Sequence, residues 1–456
     1  MLLLHHLNFS ARSNHMKLSR RHFLKGSAAL SATTAAATLP SITSAADITT
    51  APSDHKALVC VFLFGGNDAY NMVVPVTDNA YTNYLAARPD LGLKLDEINT
   101  TGLLTDNDIE VGLHHAMSSL LPLFQNGQAT ALVNTGQLIQ PTTRSLIDQH
   151  IVELPEFLMA HNMQQEMWQS GAKNLANPLG WAGRMMDMLG SSGDISPLIS
   201  IGSDKKLLRS KNANQTIISS AGVGNYNGMN IDVRIDGYFN HFTQRDYNNL
   251  YMRNYSDRME KSIAENEALK VILDKHPANA EYPEGGLASQ LKMVGRLIKA
   301  RGDLTHQRQV FFVGMGGFDT HKDQKVPHHN LLAQLSDSLA AFNTDMENEG
   351  LAEQVTCVTM SDFGRRVQAN ASGTDHGWAG HQIVTGGAIS GGKAYGQWPD
   401  LSLNSENDYN KGRIIPGIAA DQVNASLCKW FGLNDAQILE LFPNLVHFEP
   451  RYIDFI

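Results

Sequence analysis

The sequence predicts an α/β fold, a mostly parallel central sheet with helices on both faces and an inserted cap. Three observations predict it. Short unbroken apolar runs recur, as in 57–64 (ALVCVFLF), 309–315 (QVFFVGM) and 355–360 (VTCVTM). Runs of that length suit strands covered on both faces. Helical stripes alternate with them: Leu287, Leu291, Val294 and Ile298 line one, and Leu331, Leu335, Leu339, Phe342 and Met346 another. Strand and helix alternating without an internal repeat argue for a parallel sheet.

The chain has 456 residues, enough for one large domain or two ordinary ones. Its apolar fraction of 42% and charged fraction of 18% are those of a soluble globular protein. Net charge is −9, and residues 1–46 hold five basic residues and no acid. Without them 31 basic residues face 45 acidic ones, a balance of −14. So acidic a surface argues against nucleic acid and against an anionic membrane as partner. The odd set Cys60, Cys357 and Cys428 has no CxxC pair and reads as three buried small hydrophobes.

Taken in order, residues 19–25 (SRRHFLK) precede an alanine-rich run to Leu39, then Pro40 and Ser44-Ala45-Ala46. A basic segment, a weak apolar segment and small residues resemble a cleaved twin-arginine export signal over 1–46, with Met16 as the start. No segment reaches the roughly 18 unbroken apolar residues of a spanning helix. The expected protein is therefore periplasmic or secreted, exported folded by the twin-arginine translocase.

Residues 47–456 are expected to form one domain. Residues 57–64 make its first strand, and 81–108 look irregular. A helix is expected over 115–124, a strand over 130–134, a helix over 178–189 and a short strand over 198–202. Residues 203–283, rich in Asn, Tyr, Ser and Asp, read as the cap, with a helical piece over 247–275. Strands follow over 309–315 and 355–360, and another starts at 382. Asp421 and Asn434 are placed as N-caps of the last two helices.

Chemistry gathers just past the strand ends, where open α/β sheets place their sites. Asp68 follows the first strand in GGND. Asp319 and His321 follow 309–315 in GGFDTH. Asp362, Arg365, Arg366 and His376 follow 355–360 in a polar loop. Oxygen and nitrogen ligands of this kind suit Zn²⁺, Mn²⁺ or Mg²⁺, so Asp68, Asp319, His321, Asp362 and His376 are the candidate metal ligands. Arg365 or Arg366 could hold a non-bridging oxygen of a phosphate or sulfate ester by a bidentate fork. His114-His115 and His328-His329 read as surface residues, and His381 as support or structure. Asp362-Phe363-Gly364 matches the kinase tripeptide without its other motifs. No Gly-Asp-Ser or G-x-S-x-G nucleophile is present.

The leader, VFLFGGNDAYNMVVP, GWAGR, GGFDTHKDQ, TMSDFGRRVQANASGTDHGW and GGKAYGQWP together resemble the exported bacterial family of domain of unknown function 1501. That family is similar in fold to the alkaline phosphatase and sulfatase superfamily. The resemblance implies an alkaline phosphatase-like α/β fold and a divalent metal. The superfamily's strand-end aspartate matches Asp68, its later acid and histidine match Asp319 and His321, and its final histidine matches His376. Its Asp-His dipeptide matches Asp362, with Phe363 in place of histidine. Where the family often has Ser-His, this chain has Ala160-His161, so a covalent serine is missing there. Thr142, Thr143, Ser145 or a metal-held water are the substitutes. His161 and Arg365 are the catalytic candidates. The implied function is a metal-dependent hydrolase of a small-molecule or polymer ester. The alternative is a binding or assembly protein that has lost turnover, which Ala160 and Phe363 favour.

Overall fold

Apolar runs buried on both faces build the centre of the computed structural model, which describes residues 54–190, 195–224 and 232–456. The export signal expected over 1–46 lies outside the described residues. Strand β1 (Lys56–Leu63) is fully buried beyond its first residue. It lies between β8 (Arg308–Met315) and β9 (Val355–Ser361), parallel to both. The other sheet strands are β5 (Ala129–Gly136), β6 (Leu198–Ile201), β7 (Thr216–Ile218), β10 (Gly380–Gly386) and β13 (Ile418–Ala419). The order is β13-β5-β10-β9-β1-β8-β6-β7, and only β10 runs antiparallel to its neighbours.

The sheet has an apolar layer on each face because successive side chains point to opposite sides. Val59, Val61, Phe311 and Val313 pack on one side with the helices Gly286–Lys299 and Lys325–Asn348. Leu58, Cys60, Phe62, Val310 and Phe312 pack on the other with Trp168, Trp181 and the helix Ala420–Phe431. Each large apolar side chain withdrawn from water contributes about 1.5–3 kcal/mol, so these layers supply the main stabilising term. All three cysteines are free and buried, as small hydrophobes should be.

Several expectations change. Residues 81–108 hold the end of a helix, Asp78–Ala87, and β3 (Ile98–Leu104). With β2 (Val73–Pro75) and β4 (Glu110–His114), β3 forms a small antiparallel sheet. A bulge at Gly102, whose φ is 73°, interrupts its alternation and hides the strand from a period-2 reading. Over 115–124 a 3-10 turn, His115–Leu120, precedes a short helix, Leu121–Gln125, with Pro122 in its first turn. In the expected cap, β7 joins the sheet beside β6, while Val233–Thr243 and Leu250–Lys275 are helical. Asn434 caps its helix through Gln437 N, whereas Asp421 lies one residue inside its helix and is buried. His114 and His328, expected on the surface, are buried as well.

One register feature positions the site. Leu63, Met315 and Ser361 are paired across β8, β1 and β9, so the three chains leave the sheet side by side. Because β10 is antiparallel, its start returns the segment carrying His376 to that same edge.

Candidate metal centre

The helix His161–Ser170 opens over this edge. His161, Gln165 and Trp168 sit at i, i+4 and i+7, one face of a helix, and all three reach Asp362. His161 Nδ1 donates to Asp362 Oδ2 at 2.6 Å, Gln165 Nε2 to the same oxygen at 2.9 Å, and Trp168 Nε1 to the Asp362 carbonyl at 3.1 Å. The other carboxylate oxygen accepts from Gly65 N at 3.2 Å. Asp362 is fully buried. It therefore stands behind His161 and fixes its ring.

In front lies a cluster of ligand-type atoms. Asp319 Oδ1 is 3.6 Å from His161 Nε2, 3.3 Å from His376 Nε2 and 3.0 Å from His321 Nε2. His376 Nε2 is 3.1 Å from both other Nε2 atoms. His161, Asp319 and His376 form a three-residue set with ligand atoms mutually within 4.8 Å, and His321 adjoins it.

All three imidazoles are held from behind. His161 Nδ1 faces Asp362, His321 Nδ1 faces Asp375 Oδ1 at 3.2 Å, and His376 Nδ1 faces the Met159 carbonyl at 3.0 Å. These partners only accept, so each neutral ring carries its proton on Nδ1 and turns a lone pair forward at Nε2. Burial pushes the His376 pKa down, against the hydrogen bond to the Met159 carbonyl, which raises it. For Asp375, burial pulls upward, but hydrogen bonds from Asn370 and His321 and the charge of Arg366 hold its carboxyl below the usual range.

Arg365 is turned inward. Nε donates to the Thr374 carbonyl and hydroxyl at 3.1 and 3.0 Å, Nη1 to the Gly65 carbonyl at 3.0 Å, and Nη1 and Nη2 to Asp319 Oδ1 at 3.2 and 2.9 Å. The fork expected on a substrate oxygen therefore grips Asp319. Arg366 is engaged by Lys411, Asp375 and Gln368.

Asp68 lies apart from the cluster. Both its oxygens accept from Arg88, at 2.9 and 2.7 Å, in a fully buried ion pair, and Gln324 Nε2 also donates to it. Burial alone would raise its pKa, but the Arg88 charge and hydrogen bonds lower it overall. Of the five expected ligands the structure brings together Asp319, His321 and His376. It sets Asp362 behind His161 and gives Asp68 to Arg88. His161, a catalytic candidate from sequence, stands among the ligand-type atoms. Arg88, Gln165, Gln324 and Met159 were missed. Only Gln165 had a signal, its i+4 spacing from His161.

The nucleophile substitutes are occupied elsewhere: Thr142 donates to Gln140, Thr143 caps the helix Arg144–Asp148, and Ser145 donates to Glu406. Among the described residues no serine or threonine hydroxyl hydrogen-bonds to the cluster. His381 is structural, its Nδ1 accepting from Asn134 N at 3.0 Å.

Among solved structures, the chain is similar to the C-terminal periplasmic domain of EcEptC from Escherichia coli in complex with Zn. Identity is 11%, coverage 74% of this chain and 75% of that one, and the TM-score 0.33. It is similar to the lipoteichoic acid synthase LtaP from Listeria monocytogenes at 6% identity, 89% and 77% coverage and a TM-score of 0.36. It is also similar to PsFucS1 sulfatase from Pseudoalteromonas sp. at 10% identity, 76% and 65% coverage and a TM-score of 0.29. No curated protein matches the chain. Residues 17–37 match the twin-arginine translocation pathway signal, which directs export to the periplasm or beyond, and no described helix is long and apolar enough to cross a membrane. The family model described as "Protein of unknown function (DUF1501)" matches residues 55–418, most of the chain, and the protein belongs to that family.

Proposed function

We propose that the protein is an exported metal-dependent hydrolase of phosphate or sulfate esters, with one divalent ion held by His161, Asp319 and His376 and adjoined by His321. One observation carries this reading: His161 Nε2, His376 Nε2 and Asp319 Oδ1 lie 3.1–3.6 Å from one another, and His321 Nε2 lies 3.1 Å from His376 Nε2 and 3.0 Å from Asp319 Oδ1. Without a cation between them they repel. A tetrahedral ion with bonds of about 2.0–2.1 Å sets its ligands roughly 3.3–3.4 Å apart, which the cluster matches.

A bound divalent ion would supply Lewis acidity toward the ester oxygen and lower the pKa of water. The protein's own groups do the rest. Asp362, Asp375 and the Met159 carbonyl hold the rings in the ligating tautomer, as partners behind metal-binding histidines generally do. Arg365 pins the Asp319 carboxylate in place. Asp319 and His321, 48% and 41% exposed at their side chains, leave the front open to an ester.

The test is elemental analysis of protein purified without chelator, beside His161→Ala and Asp319→Ala, followed by assay on 4-nitrophenyl phosphate and 4-nitrophenyl sulfate. Near-stoichiometric metal lost in both variants, with metal-dependent turnover, is expected. Absence of metal from the wild type sinks the reading. Metal without turnover selects a binding protein on the same fold, a reading favoured by the turn of the Arg365 fork onto Asp319.

A further inference from the structure

Along the ends of β6, β1 and β8 runs a groove of about 350 Å³. The half-buried Phe64 and the buried Phe312 line it, together with Ser203, Ser219 and Lys205. The two rings lie 6.3 Å apart. The Lys205 ammonium lies 5.1 Å from the Phe64 centroid and 5.3 Å from that of Phe312.

Ring faces attract a cation but do not accept its three N–H donors as oxygens would. No carboxylate or carbonyl among the described residues accepts from Lys205 Nζ. Its neighbour Asp204 is occupied by Arg209 and Gln215. By contrast, the adjacent Lys206 is paired with Glu166 at 2.7 Å and with the Leu175 carbonyl at 2.9 Å. Burial pulls the Lys205 pKa down, against the charge of Asp204, so the unpaired cation comes at a cost. An anion in the groove would remove that cost.

Backbone contacts connect the groove's lining to the loops that carry the cluster. The Phe64 carbonyl accepts from Phe318 N at 3.2 Å, one residue before Asp319. Gly65, the next residue, gives its carbonyl to Arg365. Glu166, which holds Lys206, lies on the helix that begins with His161.

We propose that this groove binds the part of the substrate beyond the scissile ester: a ring-bearing group, sugar or aryl, that carries a second anion. The ring lies against the half-buried Phe64, and the anion takes the Lys205 ammonium with Ser203 beside it. This rests on the ester-hydrolase reading for its link to catalysis, while the anion site itself does not.

The probe is naphthalene-2-sulfonate, titrated by calorimetry into wild type, Lys205→Met, Lys205→Arg and Asp319→Ala. One saturable site is expected. Affinity falls about tenfold or more in Lys205→Met, as for loss of a charged hydrogen bond. It stays within about threefold in Lys205→Arg, which restores the charge, and is unchanged in Asp319→Ala. No saturable binding, or equal affinity in wild type and Lys205→Met, overturns the anion site. For the link to catalysis, 6-sulfonato-2-naphthyl phosphate is compared with 4-nitrophenyl phosphate. Lys205→Met should raise KM only for the former, at constant kcat, and an equal effect on both overturns that link. If the wild type holds no metal but binds the sulfonate through Lys205, the hydrolase reading falls and the anion site stands.

Discussion

Asp362 and His161, 201 residues apart in sequence, meet at 2.6 Å through a fully buried carboxylate oxygen and a ring Nδ1. The pair sets Asp362 behind His161 rather than among the atoms that converge in front of it. The same oxygen also takes Gln165, so the imidazole is fixed in both tautomer and orientation.

Asp362→Asn should therefore lower zinc affinity roughly 10–100-fold, the usual effect of losing a partner behind a ligating histidine. Stoichiometry at saturation should stay unchanged. A competition titration against a zinc indicator measures both. Complete loss of metal would return Asp362 to the ligand set.

Asp68 makes the opposite prediction. Removing one member of a buried ion pair typically costs roughly 3–5 kcal/mol, because the other charge is left without compensation. Asp68→Asn should lose that much stability in a urea titration and keep its metal, since the carboxylate serves Arg88. Metal loss with little loss of stability would contradict the geometry.

Gly364 tests the loop that leaves β9. A Cβ there would sit 1.7 Å from the Ala379 carbonyl oxygen, inside backbone rather than beside a movable side chain. Gly364→Ala must push apart the two arms that carry Arg365 and His376, which face each other across a bridge. It should cost about 1–3 kcal/mol or more and weaken metal binding, read by thermal unfolding with and without zinc. A fully stable, fully loaded variant would show that the arms need not touch.

Much of this architecture was legible because parallel-sheet strands are uniformly apolar and their loops are glycine-rich. The runs 57–64, 309–315 and 355–360 coincide with β1, β8 and β9, the first running one residue past its strand, and the acids and histidines past them fell at one edge. What sequence could not supply was direction within that edge. Asp68 and Asp319 both follow glycine pairs, yet only a partner 20 residues on, Arg88, turns Asp68 away. Arg365 looked free because nothing local reveals that its fork meets Asp319 and the Gly65 carbonyl. His161 could not be placed among the ligand-type atoms from its own neighbourhood, since its partners come from β8, β9 and the approach to β10.

Away from the site, Asp421 gives a pH dependence with a definite sign. Burial raises its pKa to about 6, against hydrogen bonds from Ala172 and Asn444 and the charge of Arg184. Its native pKa lies above the unfolded value of 3.8, so the native state holds the proton more tightly. That stabilisation is complete below about pH 4 and is lost as pH rises through about 6. Asp421→Asn should remove this dependence and be more stable at pH 8 by on the order of 3 kcal/mol. Denaturation midpoints for both proteins between pH 4 and 8 measure it, and parallel curves would refute it.

The antiparallel run of β10 has a consequence for assembly. It brings His376 to an edge already occupied by Asp319 from β8, while His161 arrives from a helix far earlier in the chain. No short stretch holds the set, so if it takes an ion as proposed, a nascent or partly folded chain offers no cage for it. Affinity would then appear only when the last central strands have docked. For cargo that crosses the membrane already folded, a tightly held ion would mark a chain ready to leave, and an unfinished one would travel empty or stay behind.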